Sequence, residues 1–343
     1  MSVGRCRVAR VDSKALRCRQ CAADESASRH PRPRASYGIK SGEATDAGLG
    51  SGVPVVNYQH EFHAGNFADV FKHALFCRIL HYLRGKPAAF RVIDTHAGAG
   101  LYDLASEKAA RGGEWQGGIG ALMAAKTSQP IAKLLSPYLE VVRAVNDYDR
   151  IRVYPGSPAL ARAWLRPQDT LITCELEPKS AAALRGNLRS DARIKTLEID
   201  GWTALNAYVP PKERRGVVLV DPPFEVDDEF RRLANALSSA HRKWETGIYA
   251  LWYPIKGRGE PDALAKRMRR LGLPKVLRAE LLVSALSDQT RLNGAGMIVV
   301  NPPWTLENEL SLLLPAFASI LGHEGKGRFR LDQLGREGPS TSG

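Results

Sequence analysis

Apolar residues in this chain recur with two periods. From Asn66 to about Arg84, Phe67, Val70, Phe71, Ala74, Leu75, Ile79 and Leu83 fall three or four apart. That spacing predicts an amphipathic helix, with Asn66 as its N-cap and Asp69 as an acid in its first turn. Short apolar runs at 90–94, 170–175, 194–199, 216–220, 247–252, 276–283 and 296–300 read as seven strands. Helical spacing returns between them, over 118–126, 131–145, 227–243 and 261–271. Strands alternating with helices predict an α/β fold with a mainly parallel sheet. The second strand starts about 76 residues after Asp94, whereas a compact strand–helix–strand unit needs only ~30. A helical insertion over 105–168 is therefore expected, with Gly156-Ser157-Pro158 on its return path.

Composition trims this picture at both ends. Residues 1–52 show no hydrophobic period and carry ten Lys/Arg against five acids, which predicts a disordered basic leader. Cys18 and Cys21 form a lone CxxC without a second pair at zinc spacing, so no metal is expected there. The folded domain is expected over 53–322, followed by a flexible tail over 323–343. No apolar run approaches the ~20 residues of a membrane span, and no apolar signal core is seen, so a cytoplasmic protein is expected. Five scattered cysteines make no disulfide framework. A formal charge of +13 favours a polyanionic partner, most simply nucleic acid.

The run Gly216-Val217-Val218-Leu219-Val220 carries the sharpest chemistry. It is apolar throughout, as in a strand buried on both faces, and it ends at Asp221-Pro222-Pro223-Phe224. Two prolines cannot continue a ladder, and ligands bind at the carboxyl ends of strands in open α/β sheets. The plain reading is a Pro-Pro loop closing a strand. The sharper one is a resemblance to the [Asp/Asn/Ser]-Pro-Pro-[Tyr/Phe/Trp] motif of S-adenosylmethionine (SAM)-dependent amino-methyltransferases. Asp94-Thr95-His96-Ala97-Gly98-Ala99-Gly100 adds a glycine turn through which backbone can approach a nucleoside, although dinucleotide folds use similar turns. Glu175 and Asp200 close the next two strands, at positions suited to ribose hydroxyls and an adenine amino group. Acids ending the first four strands match a Rossmann-like class I SAM-dependent methyltransferase. Asn301-Pro302-Pro303-Trp304 also fits the motif. It ends the seventh strand, which in this fold runs antiparallel and delivers its end to the opposite edge. His60, His63 and His73 do not form HExxH, and no metal is expected.

Longer stretches carry a more specific resemblance. Tyr58-x-His60-x-Phe62-His63-Ala64-Gly65-Asn66-x-x-Asp69-x-x-Lys72-His73, Asp94–Gly100, Tyr154–Pro158, Gly247–Pro254 and Gly296–Trp304 look like the bacterial 23S rRNA adenine N6-methyltransferase family. The resemblance spans about residues 57–320, and residues 1–56 have no counterpart in it. It implies SAM as methyl donor, without a metal, and 23S rRNA as partner of a monomeric enzyme. His73, His96, Gly98, Ser157, Glu175, Asp200, Gly201 and Asp221 would line the SAM site. Asp221, Pro222, Phe224 and Lys72 would be the catalytic residues, the first three in one turn. Tyr58 and His60 would lie over the target base with Lys72, which would hold a phosphate of the target. Composition alone makes Lys72 a solvated lysine. Phe224 replaces the family's tyrosine, keeping a stacking face and losing a hydroxyl. Three other readings are a DNA adenine N6-methyltransferase, an NAD-dependent oxidoreductase on the glycine turn, and a non-catalytic RNA-binding module. The oxidoreductase reading wants an acid ~20 residues after the glycines, and Glu175 lies 75 beyond Gly100.

Overall fold

Asn66 starts the first α-helix: its side chain accepts the backbone N–H groups of Ala68 and Asp69 and so caps helix α1 (Phe67–Arg84). The computed structural model describes residues 59–146, 150–189 and 191–335. The expected leader, Tyr58 and the last residues from 336 lie outside them. After α1 come β1 (Arg91–Asp94), β2 (Leu101–Asp103), α2 (Glu107–Gly112), α3 (Ala121–Ala124), α4 (Gln129–Ala144), β3 (Val153–Pro155) and α5 (Ser157–Trp164). Next follow β4 (Thr170–Glu175), α6 (Pro178–Leu188), β5 (Ile194–Glu198), α7 (Gly201–Tyr208), β6 (Gly216–Val220) and α8 (Glu229–Lys243). The chain continues through β7 (Ile248–Ile255), α9 (Gly259–Arg270), β8 (Val276–Leu282), β9 (Gly294–Val300), α10 (Leu306–Leu321) and β10 (Arg328–Gln333).

Eight strands form one sheet in the order β10-β8-β9-β7-β6-β1-β4-β5. The run from β7 to β5 is parallel. Strand β9 is antiparallel to both of its neighbours, β7 and β8. Without β10 this is the expected Rossmann-like order, with the last strand inserted antiparallel. Each face is wound. Val217 and Leu219 of β6 join the core with α1, α4, α5 and α10, while Val218 and Val220 join the core with α7, α8 and α9. The uninterrupted apolar run of β6 follows from burial on both sides.

Three expectations are corrected. Helix α1 is not amphipathic: it packs against α4, α5, α10, β6 and β9, and Asp69, Lys72, His73 and Arg78 are buried with its apolar residues. Strand β7 does not stop before Tyr253-Pro254 but runs to Ile255. The Ile255 carbonyl accepts Asn293 N–H on the β9 side, so the Pro254 nitrogen points the other way. There β6 has already ended, its last pair being Val220 with Leu251. A proline is tolerated where no ladder bond is due. The expected flexible tail carries β10, an edge strand antiparallel to β8. The stretch between β1 and β4 holds the expected helices and also a two-stranded ribbon, β2 with β3. No described helix is long and apolar enough to cross a membrane.

Candidate active site

The carboxyl ends of the parallel strands gather four acids on one edge. Asp94 ends β1, Glu175 ends β4, Asp200 follows β5 and Asp221 follows β6. Helix α1 packs below and brings Lys72 to this edge, where its Nζ lies 2.5 Å from Asp221 Oδ2 and 2.9 Å from Asp69 Oδ1. Lys72 is only 4% exposed, so it is neither a solvated lysine nor open to an RNA phosphate. Burial alone would depress its ammonium; the Asp221 and Asp69 carboxylates outweigh that and hold it above the ordinary lysine range. Burial would likewise raise Asp69, but Lys72, His60 and His73 hold it well below the usual carboxylate range. Lys72 also lies 5.8 Å from the centre of the Trp252 ring.

The glycine turn is built for close approach. Gly98 and Gly100 take left-handed φ of 60° and 79°, and the Gly98 N–H donates to Glu175 Oε2 at 2.8 Å. A Cβ on Gly201 would come within 2.1 Å of the Thr95 carbonyl and 2.8 Å of the His96 ring. Only glycine lets α7 start this near β1. Thr95 Oγ1 donates to the Leu219 carbonyl, so His96 Nδ1, 2.8 Å away, donates to Thr95 and its Nε2 is left as an acceptor. Burial pushes the His96 imidazole down to about 4. Asp200 caps α7 through Oδ2, which accepts both Thr203 N–H and Oγ1–H. Beyond it a cavity of about 550 Å³ opens between α7 and α8, lined by Trp202 and by Arg232, whose guanidinium lies over the Trp202 ring.

Asp94 is the residue the motif reading passed over. The side chain is fully buried and neither oxygen closes a good hydrogen bond; Ser157 and the His96 backbone N–H favour its charged form, but too weakly to offset burial. Burial, with Asp221 adding to it, pushes its pKa up to about 7. A buried carboxyl so weakly matched is costly unless a ligand supplies a further donor. The signal for it was present in the sequence, as the first acid of the glycine motif. These observations fit SAM, which brings an ammonium, a sulfonium, ribose hydroxyls and an adenine. Ser157 starts α5 on the same side, just after the N-cap Gly156.

Phe224 continues the Asp221-Pro222-Pro223 turn at a left-handed φ of 53°. Its ring lies 4.7 Å from that of Phe230 and 5.7 Å from that of Trp252, neither of which the sequence marked as a site residue. His60 Nε2 is 3.0 Å from Asp69 Oδ2, and its ring lies against Tyr102. One expected site residue, His73, stands apart, and the Asn301 turn lies where strand order puts it. His73 is buried with Nδ1 on the Tyr154 hydroxyl at 2.7 Å rather than standing at the open edge; burial lowers it to about 3. Asn301 lies at the other end of the sheet, beside the start of β7, where its amide donates to the Glu245 and Gly247 carbonyls. It holds a turn there, far from the row of acids. Tyr58 lies outside the described residues.

Residues 87–334 match the family described as "Ribosomal RNA large subunit methyltransferase D, RlmJ". The chain is 39% identical over 273 residues to "Ribosomal RNA large subunit methyltransferase J" of Escherichia coli, covering 80% of this chain and 96% of that protein. It is 37% identical over 281 residues to the protein of the same name from Haemophilus influenzae, covering 82% and 99%. A crystal structure of a Legionella pneumophila protein, 31% identical, superposes with a TM-score of 0.72 over 79% of this chain and 98% of that one.

Proposed function

This chain belongs to the RlmJ family of ribosomal RNA large subunit methyltransferases, and from that premise we propose that it methylates the N6 amine of an adenine in 23S rRNA. The observation that carries the adenine is the Asp221-Pro222-Pro223-Phe224 turn, held at the end of β6 with Lys72 on one carboxylate oxygen. When bound, SAM supplies the methyl group on a sulfonium that is already activated to leave.

An adenine amine is a weak nucleophile because its lone pair is delocalised into the ring. Lys72 occupies Asp221 Oδ2, so Oδ1 is the oxygen that accepts one N–H of the amine. The Pro222 carbonyl accepts the other. Two acceptors favour a tetrahedral nitrogen whose lone pair is aimed rather than delocalised. Positioning of this kind contributes up to ~7–11 kcal/mol in favourable cases. Lys72 is held as an ammonium and has no free pair, so the proton lost by the methylated amine leaves past Asp221 Oδ1. Phe224, braced by Phe230 and Trp252, offers a face for the base, with stacking worth ~1–3 kcal/mol. We assign Glu175 to the ribose hydroxyls, Asp200 and Gly201 to the adenine end, and Asp94, His96, Gly98 and Ser157 to the methionine end of the donor. His60, with Tyr58, is assigned to the target base, and the enzyme acts as a monomer in the cytoplasm.

Methyl-labelled SAM offered with large-subunit RNA, followed by nucleoside analysis, tests the reading. Label in N6-methyladenosine is expected. Label in another nucleoside, or preferential labelling of an adenine-containing DNA duplex, overturns it.

A further inference from the structure

Asp69 is used three ways at once. Its Oδ2 accepts Gly65 N–H at 2.9 Å and lies 3.0 Å from His60 Nε2; its Oδ1 faces Lys72 Nζ at 2.9 Å. An acid in the first turn of a helix ordinarily serves capping and the helix dipole. Here the cap is already made by Asn66, which accepts Ala68 and Asp69 N–H. Asp69 is 2% exposed, and burying a carboxylate is expensive unless its oxygens are matched. Its partners are the loop before α1 on one side and the catalytic ion pair on the other.

That loop is fixed in turn. The Gly65 carbonyl accepts Ile119 N–H at 2.8 Å, and Asn66 Nδ2 donates to Glu114 at 2.9 Å. The position of His60 is therefore tied through one carboxylate to Lys72, and through Lys72 to Asp221. The ammonium is shared. Were Lys72 not drawn toward Asp69, its ammonium could turn a second N–H onto Asp221 and cover the oxygen the amine needs. Asp69 holds Lys72 on Oδ2 alone.

We propose that Asp69 is a positioning residue that couples the His60 loop to the Lys72–Asp221 pair, so that placing the target base and orienting the methyl-accepting amine are one energetic event. This rests on the function proposed above. The test uses the full chain, methyl-labelled SAM and saturating large-subunit RNA in single turnover. Asp69→Asn keeps the shape and removes the charge that divides Lys72 between two carboxylates. Its maximal rate falls at least ~10-fold, as misorientation at a reacting centre does, while SAM affinity by calorimetry stays within about threefold, under ~1 kcal/mol. His60→Gln lowers the maximal rate too, and the double variant is no slower than the slower single one, since coupled residues are not additive.

A merely structural Asp69 would lose SAM affinity and melting temperature together with rate, and its effect would add to that of His60→Gln; either result overturns the proposal. So does an Asp69→Asn rate within about threefold of wild type. If Asp69→Asn does not fold, His60→Gln decides. Loss confined to maximal rate supports the coupling, and loss confined to the KM for RNA overturns it. Wild-type protein inactive on this RNA sinks the proposed function instead, whereas active wild type with an unaffected Asp69→Asn sinks the coupling alone.

Discussion

Lys72 reaches Asp221 across 149 positions of sequence and closes to 2.5 Å from its Oδ2. A helix that precedes the sheet and a turn after its fourth parallel strand thereby make one device. Its elements are a cation that cannot lose its proton near neutral pH and a carboxylate with one oxygen engaged and one open. The pair explains why helix α1 tolerates buried charge: each charge on it facing the sheet has an opposite charge within contact distance. It also ranks the two Pro-Pro turns.

Asp221→Ala is expected to abolish methyl transfer while the chain still folds, since Lys72 retains Asp69 as counter-ion. Asn301→Ala is expected to leave transfer unchanged. It removes two amide bonds to the Glu245 and Gly247 carbonyls, a loss of about 1–3 kcal/mol in stability. Methylation rates and denaturant midpoints on the two variants check this. An inactive Asn301→Ala with an active Asp221→Ala would reverse the assignment of the catalytic edge.

Lys72→Ala leaves Asp69 and Asp221 facing each other without their cation, and breaking a buried pair in this way costs ~3–5 kcal/mol. In the protein that remains folded, the maximal rate is expected to drop at least ~10-fold, or ~1.4 kcal/mol. The KM for RNA stays near wild type, because the ammonium does not reach solvent. A contact to the RNA backbone would give the opposite split. Steady-state kinetics with RNA varied at saturating SAM distinguishes them, and a raised KM with an intact maximal rate would return Lys72 to the substrate.

Asp94 gives a pH signature of its own. Burial raises its pKa in the folded protein to about 7, well above the ordinary aspartate range. A raised acid contributes stability fully present below the unfolded value and lost as pH rises toward the folded one. Between about pH 4 and 7 the ligand-free protein should therefore lose stability, on the order of a few kcal/mol in all. Asp94→Asn should remove that slope and be relatively more stable at pH 8 than at pH 5. The same variant should bind SAM more weakly, since it gives up the buried anion. Urea titrations across this range decide; an unchanged slope in Asp94→Asn would mean that other groups set it.

The parts legible in the sequence are those written in local pattern. Strands β4 and β6 were bounded correctly because their apolar runs end abruptly at Glu175 and at Asp221-Pro222. The decoy at Asn301 was separable because strand order dictates which edge a strand end reaches. What was not legible depends on partners distant in sequence. Asp69, Lys72 and His73 count as polar in any helical pattern, so α1 read as half-solvated. Only the fold reveals that Asp221 and Tyr154 meet them. Strand β10 alternates charged and apolar residues, but with only Phe329 and Leu331 apolar and little of it buried its signal is weak. Its pairing rests on Asp332 taking a two-pronged bond from the buried Arg278, a partner 54 residues away. Asp94 was visible as a motif residue, but its burial with so little hydrogen bonding is a property of the folded interior alone.

Phe224 offers a last test, because backbone and ring make separate demands on it. Its φ of 53° lies in the left-handed region, where a residue with a Cβ stores about 1–3 kcal/mol that glycine does not. Its ring contributes by packing on Phe230 and Trp252 and by stacking on the base. Phe224→Ala loses the ring and keeps the strain; Phe224→Gly loses both. Both variants should therefore slow methyl transfer by a similar factor, on the order of 10-fold for a lost stacking contact of ~1–3 kcal/mol. The glycine variant should be the more stable of the two by about 1 kcal/mol. Phe224→Tyr should keep the rate within about threefold, since its stacking face is retained and the added hydroxyl lies at the ring edge. Thermal melts and transfer rates on the three variants separate the demands. A glycine variant less stable than the alanine one would show that the turn is not strained at Phe224. Equal rates in Phe224→Ala and wild type would take the ring out of the base site.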